Sequence, residues 1–100
     1  MARSFAAGRA VSFAGEGTIA TALTITDPVP ASVARVTAFV DEIVLVDDDD
    51  LRTAMGTIAE SLGVLVEPAG AAGVAALARH HATLPGERVA VILTGAGSSE

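Results

Sequence analysis

Two short apolar runs constrain this chain most: Ile43–Val46 (IVLV) and Val89–Leu93 (VAVIL). The first is largely β-branched and bounded by acids, and both read as short buried strands. Two helical patterns lie between them. Leu51, Ala54, Met55, Ile58 and Leu62 recur at the spacing of an amphipathic helix, and Gly63 follows where a glycine stop belongs. Glu67-Pro68 then opens a second stretch, AGAAGVAALARHH, running to about His81. Gly70, Ala71, Gly73 and Ala75 leave much of that helix as nearly bare backbone. Glycine inside a helix costs about 1 kcal/mol against Ala, so something must approach closely there. The order strand, helix, helix, strand predicts an α/β fold with a mostly parallel sheet flanked by helices.

The first half is punctuated by glycine and proline. Met1–Ala7 is expected to be a short helix ending at Gly8, and Val11–Ala14 a short strand. The run Thr18–Thr26 suits either a strand or a buried helix, and Asp27-Pro28-Val29-Pro30 breaks it. Pro30 suits the first position of a helix, with Val33, Val36 and Val40 on one face. Pro85-Gly86 predicts a turn. Residues 1–100 are expected to form a single partial domain.

Composition removes whole classes of function. The net charge is −6, the wrong sign for nucleic-acid phosphates or an acidic membrane leaflet. No cysteine is present, so there is no disulfide, no thiolate metal site and no thiol nucleophile. No run approaches the roughly 20 apolar residues of a membrane span. The N-terminus also reads poorly as a signal peptide, which makes the cytoplasm the expected location. All six basic residues are arginine, so Schiff-base chemistry on a lysine of this chain is excluded.

Four stretches carry candidate chemistry. Asp47–Asp50 lacks the alternating ligands and glycine of a calcium loop, and acids there suit the start of the following helix. His80 and His81 are adjacent on a helix, about 100° apart, and cannot share a metal. Thr94-Gly95-Ala96-Gly97 follows a strand and resembles the start of a phosphate loop, without the third glycine and helix of a dinucleotide site. It also suits a backbone that lets a planar ligand approach a strand end. Glu67-Pro68-Ala69-Gly70-Ala71 places a Glu that either caps a helix or lines a cofactor pocket.

These segments together resemble the threonine and serine dehydratases, fold type II enzymes of the tryptophan synthase beta-like family that depend on pyridoxal 5'-phosphate. Met1 to Gly8 is similar to the family's short helix ending in Gly, and Thr18-Ile19-Ala20 to the start of its TIADG segment. Val40 to Val46 (VDEIVLV) and the helix to Met55 match a strand and helix of the family. Val66 to Ala72 is similar to its EPAGAA segment, and Val89 to Gly95 to its VVLTG strand. Thr21-Ala22 and Ala96-Gly97 depart from the usual Asp-Gly and Gly-Asn.

The resemblance implies the C-terminal portion of the catalytic domain of an ammonia-lyase acting on hydroxy amino acids. It assigns Thr94 to the pyridine nitrogen of the cofactor, Gly95 to the close approach of the ring, and Glu67 to the side of the pocket. It places the Schiff-base lysine, the stacking asparagine and the tetraglycine phosphate loop upstream. A truncated gene, a split subunit or a remnant is therefore expected, inactive alone, with a missing N-terminal half or a homo-oligomer as partner. The alternatives are a non-catalytic module completing a split enzyme, and a free-standing nucleotide-binding domain resting on Gly95 and Gly97.

Overall fold

The computed structural model describes residues 1–14, 17–84, 86 and 88–97. Among the described residues there are four α-helices: α1 (Ala2–Ala7), α2 (Pro30–Phe39), α3 (Asp48–Leu62) and α4 (Ala72–His80). Single 3₁₀ turns occupy Thr21–Leu23 and Pro68–Ala71. The chain divides into two compact units, one of Met1–Gly17 with Thr24–Val44, the other of Thr18–Leu23 with Leu45–Glu100.

The first unit holds α1 and α2. Gly8, at φ 70°, ends α1 in the left-handed conformation, and its N–H bonds the Phe5 carbonyl. Ser4 is buried, and its hydroxyl accepts from the Val11 N–H at 2.9 Å. The Phe13 N–H donates to the Thr26 carbonyl at 2.8 Å, and the Arg3 guanidinium lies 3.8 Å from the Phe13 ring centre. Pro30 opens α2, where its missing N–H goes unneeded. Of the expected valine face, Val33 is buried, Val36 half-buried and Val40 exposed.

The second unit is built on α3. Asp47 caps it, accepting from the Asp50 N–H at 2.8 Å, while the Asp50 carboxylate accepts from the Asp47 N–H at 3.0 Å. This reciprocal box satisfies two otherwise orphaned amides. Gly63, at φ 66°, closes the helix, its N–H bonding the Ala59 carbonyl. Leu51, Ala54 and Ile58 form the buried stripe of α3. They join Ala20, Val66, Ala71 and Ala75 in one core. Four of those seven residues are alanine, so α3, the Pro68–Ala71 turn and α4 pack with little side chain between them. Burying Leu51 and Ile58 contributes about 1.5–3 kcal/mol each.

The expected mostly parallel sheet is not formed among the described residues. The single bridge joins Val66 and Ala96, and it is antiparallel. Ile43–Val46, Val89–Leu93 and Val11–Ala14 lie outside any strand ladder. Along the second run Val91 and Leu93 are half-buried while Ile92 is 82% exposed, and Leu45 of the first run is 70% exposed. A strand exists only through the neighbour that takes its N–H and C=O groups. Composition equips these runs to be strands, but among the described residues no segment pairs with them in a ladder. Thr18–Thr26 is neither one strand nor one helix: it holds the 3₁₀ turn and is shared between the units. The stretch after Glu67 starts with a 3₁₀ turn and becomes α-helical at Ala72. The predicted Pro85-Gly86 turn falls on Pro85, outside the described residues.

Candidate functional site

Glu67, Thr94 and Gly95, distant in sequence, meet where the segment after Leu93 crosses the segment before α4. The Glu67 N–H donates to the Gly95 carbonyl at 3.1 Å, and the Gly97 N–H donates to the Leu65 carbonyl at 2.8 Å. These bonds flank the Val66–Ala96 bridge. The crossing is tight. Gly97 could not carry a side chain there, since a Cβ would stand 2.8 Å from the Val66 carbonyl oxygen.

Gly95 has φ 70°, a conformation that favours glycine. The place where its side chain would stand is filled by the Glu67 side chain, with carboxylate oxygen and methylene both in contact. Glu67 precedes the Pro68–Ala71 turn but makes no side-chain cap bond to it. Its half-buried carboxylate is instead laid over the Gly95 backbone. Thr94 and Gly95, at the end of the Val89–Leu93 run, are exposed residues. Gly70 belongs to the nearly bare backbone that follows Glu67. The space it opens is taken by the Thr94 carbonyl.

The acidic run is structural. Arg79 of α4 bonds the Asp47 carboxylate at 3.0 Å and that of Asp50 at 2.5 Å, tying the end of α4 to the start of α3. The Asp47 N–H, and then Arg79, hold the Asp50 carboxyl below its usual pKa, and the Asp50 and then Asp47 carboxylates raise Arg79. Asp48 accepts from the Thr18 hydroxyl at 2.5 Å and from the Ile19 N–H at 3.2 Å. Periodicity could not announce the Thr18 and Arg79 contacts, because each partner lies about thirty residues from the acids it meets. His80 Nε2 lies 2.7 Å from the Leu45 carbonyl oxygen, and His81 Nδ1 lies 3.2 Å from that of Ala78. Among the described residues no group of three His, Asp or Glu side chains is placed to hold a metal. No described helix is long and apolar enough to cross a membrane. A groove of about 250 Å³ between α3 and α4, beside Thr53, Thr57, Val74 and Ala78, includes none of Glu67, Thr94 and Gly95.

A family model described as pyridoxal-phosphate dependent enzyme matches residues 1–95. The chain belongs to this family. As a pyridoxal-phosphate dependent enzyme segment, it is 32% identical over 95 residues to the L-threonine ammonia-lyase of Thermotoga maritima. That alignment covers 95% of this chain and 23% of the relative. The fold is similar to the crystal structure of T.th. threonine deaminase, with a TM-score of 0.78 and 28% identity. The match covers 84% of this chain and 30% of that one. The chain thus spans under a third of the length of either relative.

The residues at the crossing fit one edge of this family's cofactor. Thr94 offers a neutral hydroxyl, Gly95 offers backbone without a side chain, and the Glu67 side chain lies against Gly95. The covalent anchor does not come from a lysine of these 100 residues, since the chain has none.

Proposed function

We propose that this chain supplies one edge of the cofactor site, around Thr94 and Gly95, in a pyridoxal-phosphate-dependent threonine/serine ammonia-lyase. Both units then belong to one partial catalytic domain. The observation that carries the reading is the convergence of Glu67, Thr94 and Gly95 at one crossing, held by backbone hydrogen bonds. Family membership and the likeness to L-threonine ammonia-lyase support the reaction class. The net reaction turns threonine into a 2-oxo acid and ammonia.

Pyridoxal phosphate, when bound, supplies an electron sink for bonds to the substrate α-carbon. This chain's part is to hold and orient it. The Thr94 hydroxyl would donate to the pyridine nitrogen, and a neutral donor there would leave that nitrogen unprotonated. Gly95, lacking a side chain, would let the ring edge lie against the backbone. Glu67 packs the other side of that backbone and keeps it in place. Alone, the chain is inactive, because the family's lysine and phosphate loop lie upstream of the matching region. The absence of lysine also favours a second reading, a non-catalytic module that packs against a polypeptide carrying those parts.

The test mixes the full chain with T. maritima L-threonine ammonia-lyase lacking the segment it shares with this chain, adds pyridoxal phosphate, and follows ammonia release from threonine. Ammonia is expected from the mixture and from neither component alone. A stable complex that binds the cofactor without turnover would favour the non-catalytic module. Failure of the mixture to bind the cofactor would reject both readings.

A further inference from the structure

We infer that Gly70 is a positioning residue of this site: its bare α-carbon seats the Thr94 carbonyl and thereby fixes where the Thr94 hydroxyl stands. What that hydroxyl touches rests on the function proposed above. The seating itself is independent of it.

Gly70 is buried inside the Pro68–Ala71 turn, and its N–H bonds the Glu67 carbonyl at 2.9 Å. It is not one of the glycines with positive φ, so the position demands space rather than an unusual backbone conformation. A Cβ there would overlap the Thr94 carbonyl oxygen and lie 2.8 Å from the carbonyl carbon and 3.4 Å from the Thr94 nitrogen. This is backbone against backbone, so no rotamer relieves it. Gly73 provides the contrast. Its Cβ would meet the Val91 Cγ1 at 2.6 Å, a side-chain methyl rather than the backbone of the crossing.

The hydrogen bonds across the crossing tether Gly95 through its carbonyl and Gly97 through its amide. The peptide that joins Thr94 to Gly95 rests on Gly70 instead. Displacing its carbonyl rotates that peptide and swings the Thr94 side chain. One short turn therefore controls both halves of the site, since Glu67 starts it and Gly70 seats Thr94.

Two-dimensional NMR of the full chain without cofactor tests the seating in the parent, Gly70→Ala and Gly73→Ala. In Gly70→Ala the Thr94 methyl and Gly95 amide resonances should shift and Gly97 amide exchange should accelerate, whereas Gly73→Ala should leave all three in place. A merely structural glycine would lower the melting temperature without moving these resonances, and that result would overturn the inference. If Gly70→Ala does not fold, the parent decides. A nuclear Overhauser contact between the Gly70 α-protons and the Thr94 amide is expected, and its absence would overturn the seating. In the reconstituted complex, Gly70→Ala should weaken cofactor binding in the parent and add nothing to Thr94→Val. Additive losses would reduce Gly70 to a general stability role. A cofactor affinity unaffected by Thr94→Val would count against the proposed function alone, because the cofactor-free spectra would still report the seating.

Discussion

The unit built on α3 and α4 and the unit built on α1 and α2 differ in what holds them together. The first has a continuous apolar core in which Leu51 and Ile58 are enclosed by Ala20, Ala54, Val66, Ala71 and Ala75. Among the described residues of the second, Ser4, Pro28 and Val33 are the buried ones, while Phe39 is 85% exposed. Its cohesion comes from polar ties: the Ser4 hydroxyl on Val11, Ser12 bonded to Asp27, and Arg3 over Phe13. Both units have well-formed helices with left-handed glycine stops. Helix signals are local, so they form in either setting. Burial is collective, and it separates the two.

The largest expected effect breaks the core. Leu51→Ala should cost about 2–5 kcal/mol in urea or thermal denaturation followed by circular dichroism. Amide exchange should show the same contrast in the parent, with α3 amides from Ala54 to Leu62 opening only near global unfolding and those of α2 exchanging through cheaper local openings. Equal protection in the two helices would remove the distinction.

A smaller loss should come from the polar unit. Ser4→Ala strips the Val11 N–H of its partner at a buried position, and such a loss costs about 1–3 kcal/mol. Exchange at Val11 and Phe13 should accelerate while α3 amides keep their protection. Uniform acceleration over the whole chain would mean that the units open as one.

The smallest effect is pH-dependent. The folded Asp50 carboxyl lies below its usual pKa, mainly through the Asp47 N–H and then Arg79. Its contribution is therefore present above about pH 4 and fades as the pH falls through the folded value. The pair is exposed, so the effect is modest and salt-sensitive. The melting-temperature advantage of the parent over Asp50→Asn should hold between pH 7 and 5 and shrink below 4. An advantage that grows in acid would contradict the assigned sign.

What could be read from the sequence follows the same division. Gly8 and Gly63 mark helix ends, and the acids before Leu51 become the capping box of α3, because caps depend on a few neighbouring residues. Asp48 to Asp50 proved to lie within the first turn, so α3 starts before its first apolar residue. The sheet was not legible in this way. IVLV and VAVIL have strand composition, but pairing needs a second segment, and a run of valines does not say whether one stands beside it. The site was legible in part. Resemblance pointed to Glu67, Thr94 and Gly95, and the structure brings the three together. The Glu67 carboxylate lying on Gly95 and the seat at Gly70 depend on a crossing between distant segments, which no local pattern encodes.

The most direct test of the account is cofactor affinity in the reconstituted complex for Thr94→Val, with Thr83→Val as control. Valine keeps the shape and removes the donor. Losing one neutral hydrogen bond should weaken pyridoxal phosphate binding about 2- to 10-fold, with the fold intact by circular dichroism. Thr83, whose hydroxyl bonds the His80 carbonyl just past α4, should have no effect on cofactor binding when replaced. Equal affinity and equal turnover in Thr94→Val and the parent would contradict the claim that the crossing at Thr94 holds the cofactor.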